Sequence, residues 1–202
     1  MPQILTKRVL TEPVDRRALL ANGGTLLAAW LGCNSILAPR ATAEEGPAPV
    51  ALPTRAGHPP RALPDLAFTD EGGATHRLAD WRGRIVVLNL WATWCQPCVA
   101  EMPALSVLAR QVAPAGDIAV LPVSVDHGGA ATVRRFYHAH GIAGLPVLCD
   151  PDMRVPTALH EDGVPVSLVI DRGGREILRI SGPVLWDAPD LPARLRHLAA
   201  GG

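Results

Sequence analysis

The sequence predicts an α/β fold, with helices layered on one central mixed β-sheet. Three observations carry this. Short apolar runs alternate with segments whose apolar residues recur every three or four positions. One run, "IVVLNLWA" (85–92), is nearly continuous, as expected of a strand covered on both faces. Two later runs, "VSLVID" (166–171) and "EILRIS" (176–181), flank "RGG" and read as a hairpin. The chain has 202 residues, 48% of them apolar, and a formal net charge of zero. That suits one well-packed domain plus a leader, and it gives no reason to expect a nucleic-acid partner. Four cysteines are too few for a disulfide-stapled mini-domain.

Residues 1–43 read as an export signal. Lys7, Arg8, Arg16 and Arg17 make a basic start, and "ALLANGGTLLAAWLGCNSILA" (18–38) is mostly apolar. "ATA" (41–43) offers small residues for cleavage near Ala43. Arg16-Arg17 before Ala18-Leu19-Leu20 resembles a twin-arginine signal, although Asp15 precedes the pair in place of Ser or Thr. The apolar run is almost long enough to span a bilayer, so an uncleaved membrane anchor is the alternative. Cys33 sits in "WLGC", a poor lipoprotein box because of Trp30. Either way the expected location is periplasmic. The Pro/Ala-rich stretch 44–64 reads as an extended linker, leaving residues 65–202 as the folded domain.

Within that domain, "LAFTDEGGATHRLADWRGR" (66–84) predicts a hairpin turning at Gly72-Gly73, and 85–92 the first buried strand. From Cys95 to about Ala113, Val99, Met102, Leu105, Leu108 and Val112 fall at helical spacing, with Pro103 expected to kink the helix. "IAVLPVSVD" (118–126) is a strand despite Pro122, which requires a bulge or an outward-facing N–H position. "AATVRRFYHAHG" (130–141) is a helix closed by Gly141, and "LPVLCD" (145–150) is a short strand. "DMRVPTALHEDG" (152–163) reads as one or two helical turns broken at Pro156. "APDLPARLRHLAA" (188–200) is an amphipathic closing helix.

Cys95 and Cys98 therefore stand where a buried strand passes into a helix. A cysteine at a helix N-terminus faces unpaired backbone N–H groups and the positive end of the dipole. Such placement lowers a thiol pKa from about 8.5 to roughly 3.5–7.5. Cys98 lies one turn further in, so the spacing suggests an exposed nucleophile, Cys95, and a covered resolving thiol. Pro97 removes an N–H that would be orphaned anyway. Two other readings compete. A zinc site needs four ligands, and the chain has no second CxxC or CxxH, although Cys149 with one of the histidines could complete a site. A structural disulfide over two intervening residues closes too small a loop to restrict the unfolded chain much. The redox reading is the best of the three.

The stretch "VVLNLWATWCQPCVAEMPAL" (86–105), and within it W-C-x-P-C-x-x-E-x-P from Trp94 to Pro103, resembles the thioredoxin-like thiol–disulfide oxidoreductases of the TlpA/ResA type, which are exported proteins. The resemblance extends over residues 64–200 in element order. It implies a thioredoxin-like sheet with an N-terminal hairpin and an inserted helix–strand. In "GVPVSLVID" (163–171) it implies a cis Pro165 facing the cysteine ring and Val164 presenting its backbone to a substrate strand. Ser167 stands where relatives often carry Thr. Glu101 matches the motif's acid, implying a proton acceptor for Cys98; a solvated first-turn carboxylate is the plainer alternative. Trp94 is expected to shield the ring and pack on a partner, and Trp91 to be core or site. Cys149 reads as a buried thiol without function, and His127, His138, His140 and His160 as solvated side chains.

The implied activity is reduction of partner-protein disulfides by the Cys95–Cys98 dithiol, with no cofactor beyond that pair and no metal. The implied clients are apocytochromes c or copper-centre assembly proteins. The implied electron source is a membrane donor of the DsbD or CcdA kind. A copper metallochaperone, a disulfide donor and a thiol peroxidase are alternatives on the same fold, although Thr93 lacks the Pro-x-x-x-Thr-x-x-Cys frame usual for peroxidases.

Overall fold

The structure is a computed structural model and describes residues 47–201. The sequence-predicted export segment and Cys33 lie outside the described residues. Among the described residues no helix is long and apolar enough to cross a membrane.

Eight strands form one mixed sheet: β1 (Arg61–Ala62), β2 (Ala67–Asp70), β3 (Thr75–Arg77), β4 (Ile85–Trp91), β5 (Ile118–Ser124), β6 (Leu148–Cys149), β7 (Val166–Ile170) and β8 (Arg175–Ser181). Their spatial order is β1-β8-β7-β4-β5-β6-β2-β3. Among the described residues four α-helices cover it: α1 (Gln96–Val112), α2 (Gly129–His140), α3 (Arg154–Leu159) and α4 (Leu191–Ala199). This is the thioredoxin-like α/β arrangement that the resemblance implied.

Strand β4 is the centre. It pairs in parallel with β5, from Ile85↔Ile118 to Trp91↔Ser124, and antiparallel with β7, from Val86↔Ile170 to Leu90↔Val166. Every residue of β4 is buried. Successive side chains of a strand point to opposite faces, so the continuous apolar run feeds two cores. Ile85, Val87 and Trp91 join Met102, Leu105 and Leu108 of α1 and Leu191, Leu195 and Leu198 of α4. Val86, Leu88 and Leu90 join Phe68 of β2 and Val155 and Leu159 of α3.

Pro122 takes the second of its two expected solutions, and the break expected at Pro156 is revised. Pro122 needs no bulge. Ser124 O accepts from Asp150 N and Val125 N donates to Trp91 O, so even-numbered residues of β5 turn their polar groups away from β4. Pro122 shares that outer side, and β6 pairs only with Val123 and Ser124. The missing N–H therefore faces the end of a short strand. Pro156 does not break its helix: it lies in the first turn of α3, where backbone N–H groups have no intrahelical acceptor. Pro103 lies inside α1, which runs continuously from Gln96 to Val112.

The larger correction concerns residues 44–64. From Val50 onward this stretch is part of the fold. Val50 bridges Val184 in parallel, Leu52 is 1% exposed within the core, and β1 pairs with the edge of β8. An Arg194 guanidinium N–H donates to Leu52 O, and His58 Nε2 lies 3.1 Å from Glu176 Oε1. Composition suggested a spacer because the apolar residues here are sparse. One buried leucine, backbone pairing at two points and two side-chain contacts hold the strap.

Candidate functional site

The site forms where β4 ends and α1 begins. Cys95 is the N-cap of α1, in extended backbone geometry, and its Sγ accepts the N–H of Cys98 at 3.3 Å. A sulfur therefore satisfies one of the helix's orphan donors. Pro97 occupies the first turn, where its missing N–H and fixed φ fit. Cys95 and Cys98 are joined as a disulfide. The pair is more enclosed than the spacing suggested, since Cys95 is 6% exposed and Cys98 0%. The difference between the two has the expected sign, but only an edge of the ring reaches solvent.

The cis Val164–Pro165 bond lies against the ring. Val164 O is 3.5 Å from Cys95 Sγ, and Pro165 O accepts from Gly182 N at 2.8 Å, which ties this turn to the end of β8. Trp94 stands out beside the ring and is 65% exposed. Trp91 is fully buried against Phe136 and Tyr137 and belongs to the core.

Glu101 is not a solvated carboxylate. It is 4% exposed and accepts three N–H donors: Asn89 Nδ2 at 2.8 Å, Val184 N at 2.9 Å and Trp186 Nε1 at 3.2 Å. Burial holds its pKa above the usual carboxylate value, and the three donors oppose that shift without cancelling it. It lies one helical turn beyond Cys98. A groove of about 550 Å³ runs alongside, between the start of α1 and residues 183–187, with Pro47 and Pro49 on its rim.

Sequence reasoning missed the support of this carboxylate. Asn89 Nδ2 also donates to Ser167 Oγ at 3.0 Å, so β4 couples the helix carboxylate to the strand that follows Pro165. Asn89 Oδ1 is buried with no hydrogen-bond partner among the described residues. One signal was available: Asn89 is the sole polar residue in "IVVLNLWA". Ser167 is more than a tolerated departure, because its hydroxyl accepts that amide. Trp186 carried no signal, since it reaches Glu101 from 85 residues away.

Elsewhere, Cys149 is buried, and burial pushes its thiol up to about 11, with Asp126 adding to the effect. Among the described residues no group of three or more His, Cys, Asp or Glu side chains is placed to hold a metal ion.

Known proteins share this arrangement. Residues 59–175 match the AhpC/TSA family. The thiol-disulfide oxidoreductase ResA of Geobacillus kaustophilus is 34% identical over 119 residues, 59% of this chain and 67% of that one. ResA of Bacillus subtilis is 29% identical over 119 residues, 59% of this chain and 65% of that one. Among solved structures, a Chlorobium tepidum protein described as a thiol:disulfide interchange protein DsbE superposes with a TM-score of 0.58 at 27% identity, covering 69% of this chain and 96% of that one. The exposed lipoprotein thioredoxin Etrx1 of Streptococcus pneumoniae gives 0.55 at 29% identity, covering 67% and 100%. With a helix-capping cysteine pair, a cis-proline beside it and these relatives, the chain belongs to the AhpC/TSA family and is a thioredoxin-like thiol–disulfide oxidoreductase.

Proposed function

We propose that the protein is an exported reductase of disulfides in other proteins, working through Cys95 and Cys98. The observation that carries this is the position of Cys95 Sγ. It caps α1, accepts the Cys98 N–H, and lies 3.5 Å from the Val164 carbonyl beside cis-Pro165. In the reduced enzyme the Cys95 thiolate attacks one sulfur of a client disulfide, that S–S bond breaks, and one client thiolate leaves and takes up a proton. Glu101 accepts the proton of Cys98. The Cys98 thiolate then attacks Cys95 Sγ and expels the second client thiolate. Two electrons and two protons reach the client, and the pair is left oxidised. Val164 and Pro165 receive the client backbone, and exposed Trp94 with Pro97 meets its side chains.

The clients are exported proteins whose cysteines must be reduced before they bind haem or copper: apocytochromes c or copper-centre assembly proteins. A membrane thiol donor of the DsbD or CcdA kind regenerates the dithiol. Supporting this location are the basic, then apolar, leader over residues 1–43 and the exposed-lipoprotein description of the pneumococcal neighbour.

The test is a trap. In Cys98→Ser the first attack proceeds and nothing resolves its product, so mixed disulfides should accumulate in cells and survive non-reducing electrophoresis. Cys95→Ser should give none. Haem-binding or copper-binding proteins among the adducts identify the client class. An empty trap together with a pair that is mostly oxidised in cells would overturn the reductase reading in favour of disulfide donation or copper carriage.

A further inference from the structure

The turn that delivers the chain from β4 to Cys95 is held by a carboxylate outside the motif. Val125 N–H donates to Trp91 O at 2.9 Å, the last rung of the β4–β5 ladder. In a regular parallel ladder the next donor, Thr93 N–H, would bond Val125 O. It bonds Asp126 Oδ2 instead, at 2.9 Å, and the Thr93 hydroxyl donates to Asp126 Oδ1 at 2.7 Å. Ser124 Oγ donates to Asp126 Oδ2 at 2.8 Å. Asp126 N donates back to Ser124 Oγ at 3.1 Å, and Asp126 O accepts Gly129 N at 2.9 Å, where α2 starts.

Asp126 is buried, yet it meets no cation within salt-bridge distance among the described residues. Its charge is held by hydrogen bonds alone, two of them to a residue two positions before Cys95. A buried carboxylate is costly unless it is fully bonded. Here the bonding ends the ladder and bends the chain. Two consequences follow along the chain. Trp94 is turned outward into solvent. Cys95, whose N–H donates to Ala92 O at 3.2 Å, arrives in the extended geometry needed to cap α1.

We propose that Asp126 is a positioning residue for the cysteine pair, clamping Thr93 so that Cys95 Sγ meets the Cys98 N–H. The proposal rests on the reading that this pair is the reaction centre. A loosened clamp weakens the cap on the Cys95 sulfur. The reduced form depends on that cap for its thiolate, so it loses more than the ring-closed oxidised form does.

The test uses the full chain with Asp126→Ala, Asp126→Asn and Thr93→Val. Asparagine keeps an acceptor for Thr93 N–H, and its NH₂ can donate to hydroxyls that turn to accept. Valine keeps the volume of threonine and the backbone bond but leaves Oδ1 without its donor. Two quantities are read on Cys95 with no client present: the equilibrium with glutathione and the alkylation rate near neutral pH. Asp126→Ala should shift the equilibrium toward the oxidised pair about tenfold, about 30 mV for two electrons, and slow alkylation by a similar factor. Thr93→Val should shift both in the same direction by less, and Asp126→Asn should stay within about threefold of wild type. A folded Asp126→Ala protein with wild-type values overturns the proposal. So does an Asp126→Asn protein as impaired as Asp126→Ala, because charge and not geometry would then be what the residue supplies. If Asp126→Ala does not fold, Thr93→Val decides, and wild-type values there overturn the clamp. These readouts stand apart from the reductase reading, which fails if wild type reduces no client protein.

Discussion

Trp186 Nε1 donates to Glu101 Oε2 at 3.2 Å, fastening the loop after β8 to the redox helix one turn beyond Cys98. Val184 N donates to the same oxygen, so one buried carboxylate holds the wall of the groove beside the pair. Structural and proposed proton-transfer roles meet in one residue, and the two separate by measurement.

Glu101→Gln should slow the resolving step about 10²-fold if the carboxylate takes the Cys98 proton. The stability signature is distinct. Burial raises the folded-state pKa of Glu101 above its unfolded value. Its contribution is then fully present below the unfolded pKa, near 4.3, and is lost as pH rises through the folded value. Urea midpoints measured across pH should therefore fall more steeply for wild type than for Glu101→Gln over that window. Parallel curves would show that the carboxylate titrates as it does in the unfolded chain. The variant should also lose about 1–3 kcal/mol, because its NH₂ meets one of three N–H donors.

In the reduced protein, a thiol reagent near pH 7 should label Cys95 well before Cys98, because Cys95 alone reaches solvent and caps the helix. Cys149, buried with its thiol pushed up to about 11, should stay unlabelled until denaturant is added. Peptide mapping of a time course distinguishes the three. Rapid labelling of Cys98 would exchange the roles of nucleophile and resolver. Cys149→Ala should leave turnover unchanged.

Leu52→Ala should destabilise the domain by about 2–5 kcal/mol, read from urea unfolding, because it empties a core position on the strap. A spacer residue would cost nothing measurable. The same variant should leave Cys95 alkylation intact, since the strap is tied at this point to Arg194 of α4.

Changing Arg16 and Arg17 to Lys should trap the precursor in the cytoplasm if the leader uses the twin-arginine route. Cell fractionation reads the outcome. Normal export of the variant would assign the general secretory route instead.

The α/β class, the order of the main elements from the hairpin onward and the placement of the cysteine pair can be read from the residues alone. These follow from periodicity, turn residues and spacing, which are local properties written along the chain. β4, α1, β7 and β8 were legible because each carries its own apolar pattern, and Gly141 marked the end of α2 in the left-handed region, with φ of 63°. The environment of each site residue depends on packing between distant segments. Glu101 became a buried acceptor because Asn89, Val184 and Trp186 arrive from a strand and a distant loop. Thr93 is clamped because parallel register sets Asp126 beside it. The Pro-rich stretch became a strap because the edge of β8 and a socket for Leu52 were waiting. Burial and long-range hydrogen bonds depend on what the rest of the chain brings near, and no window of sequence contains that.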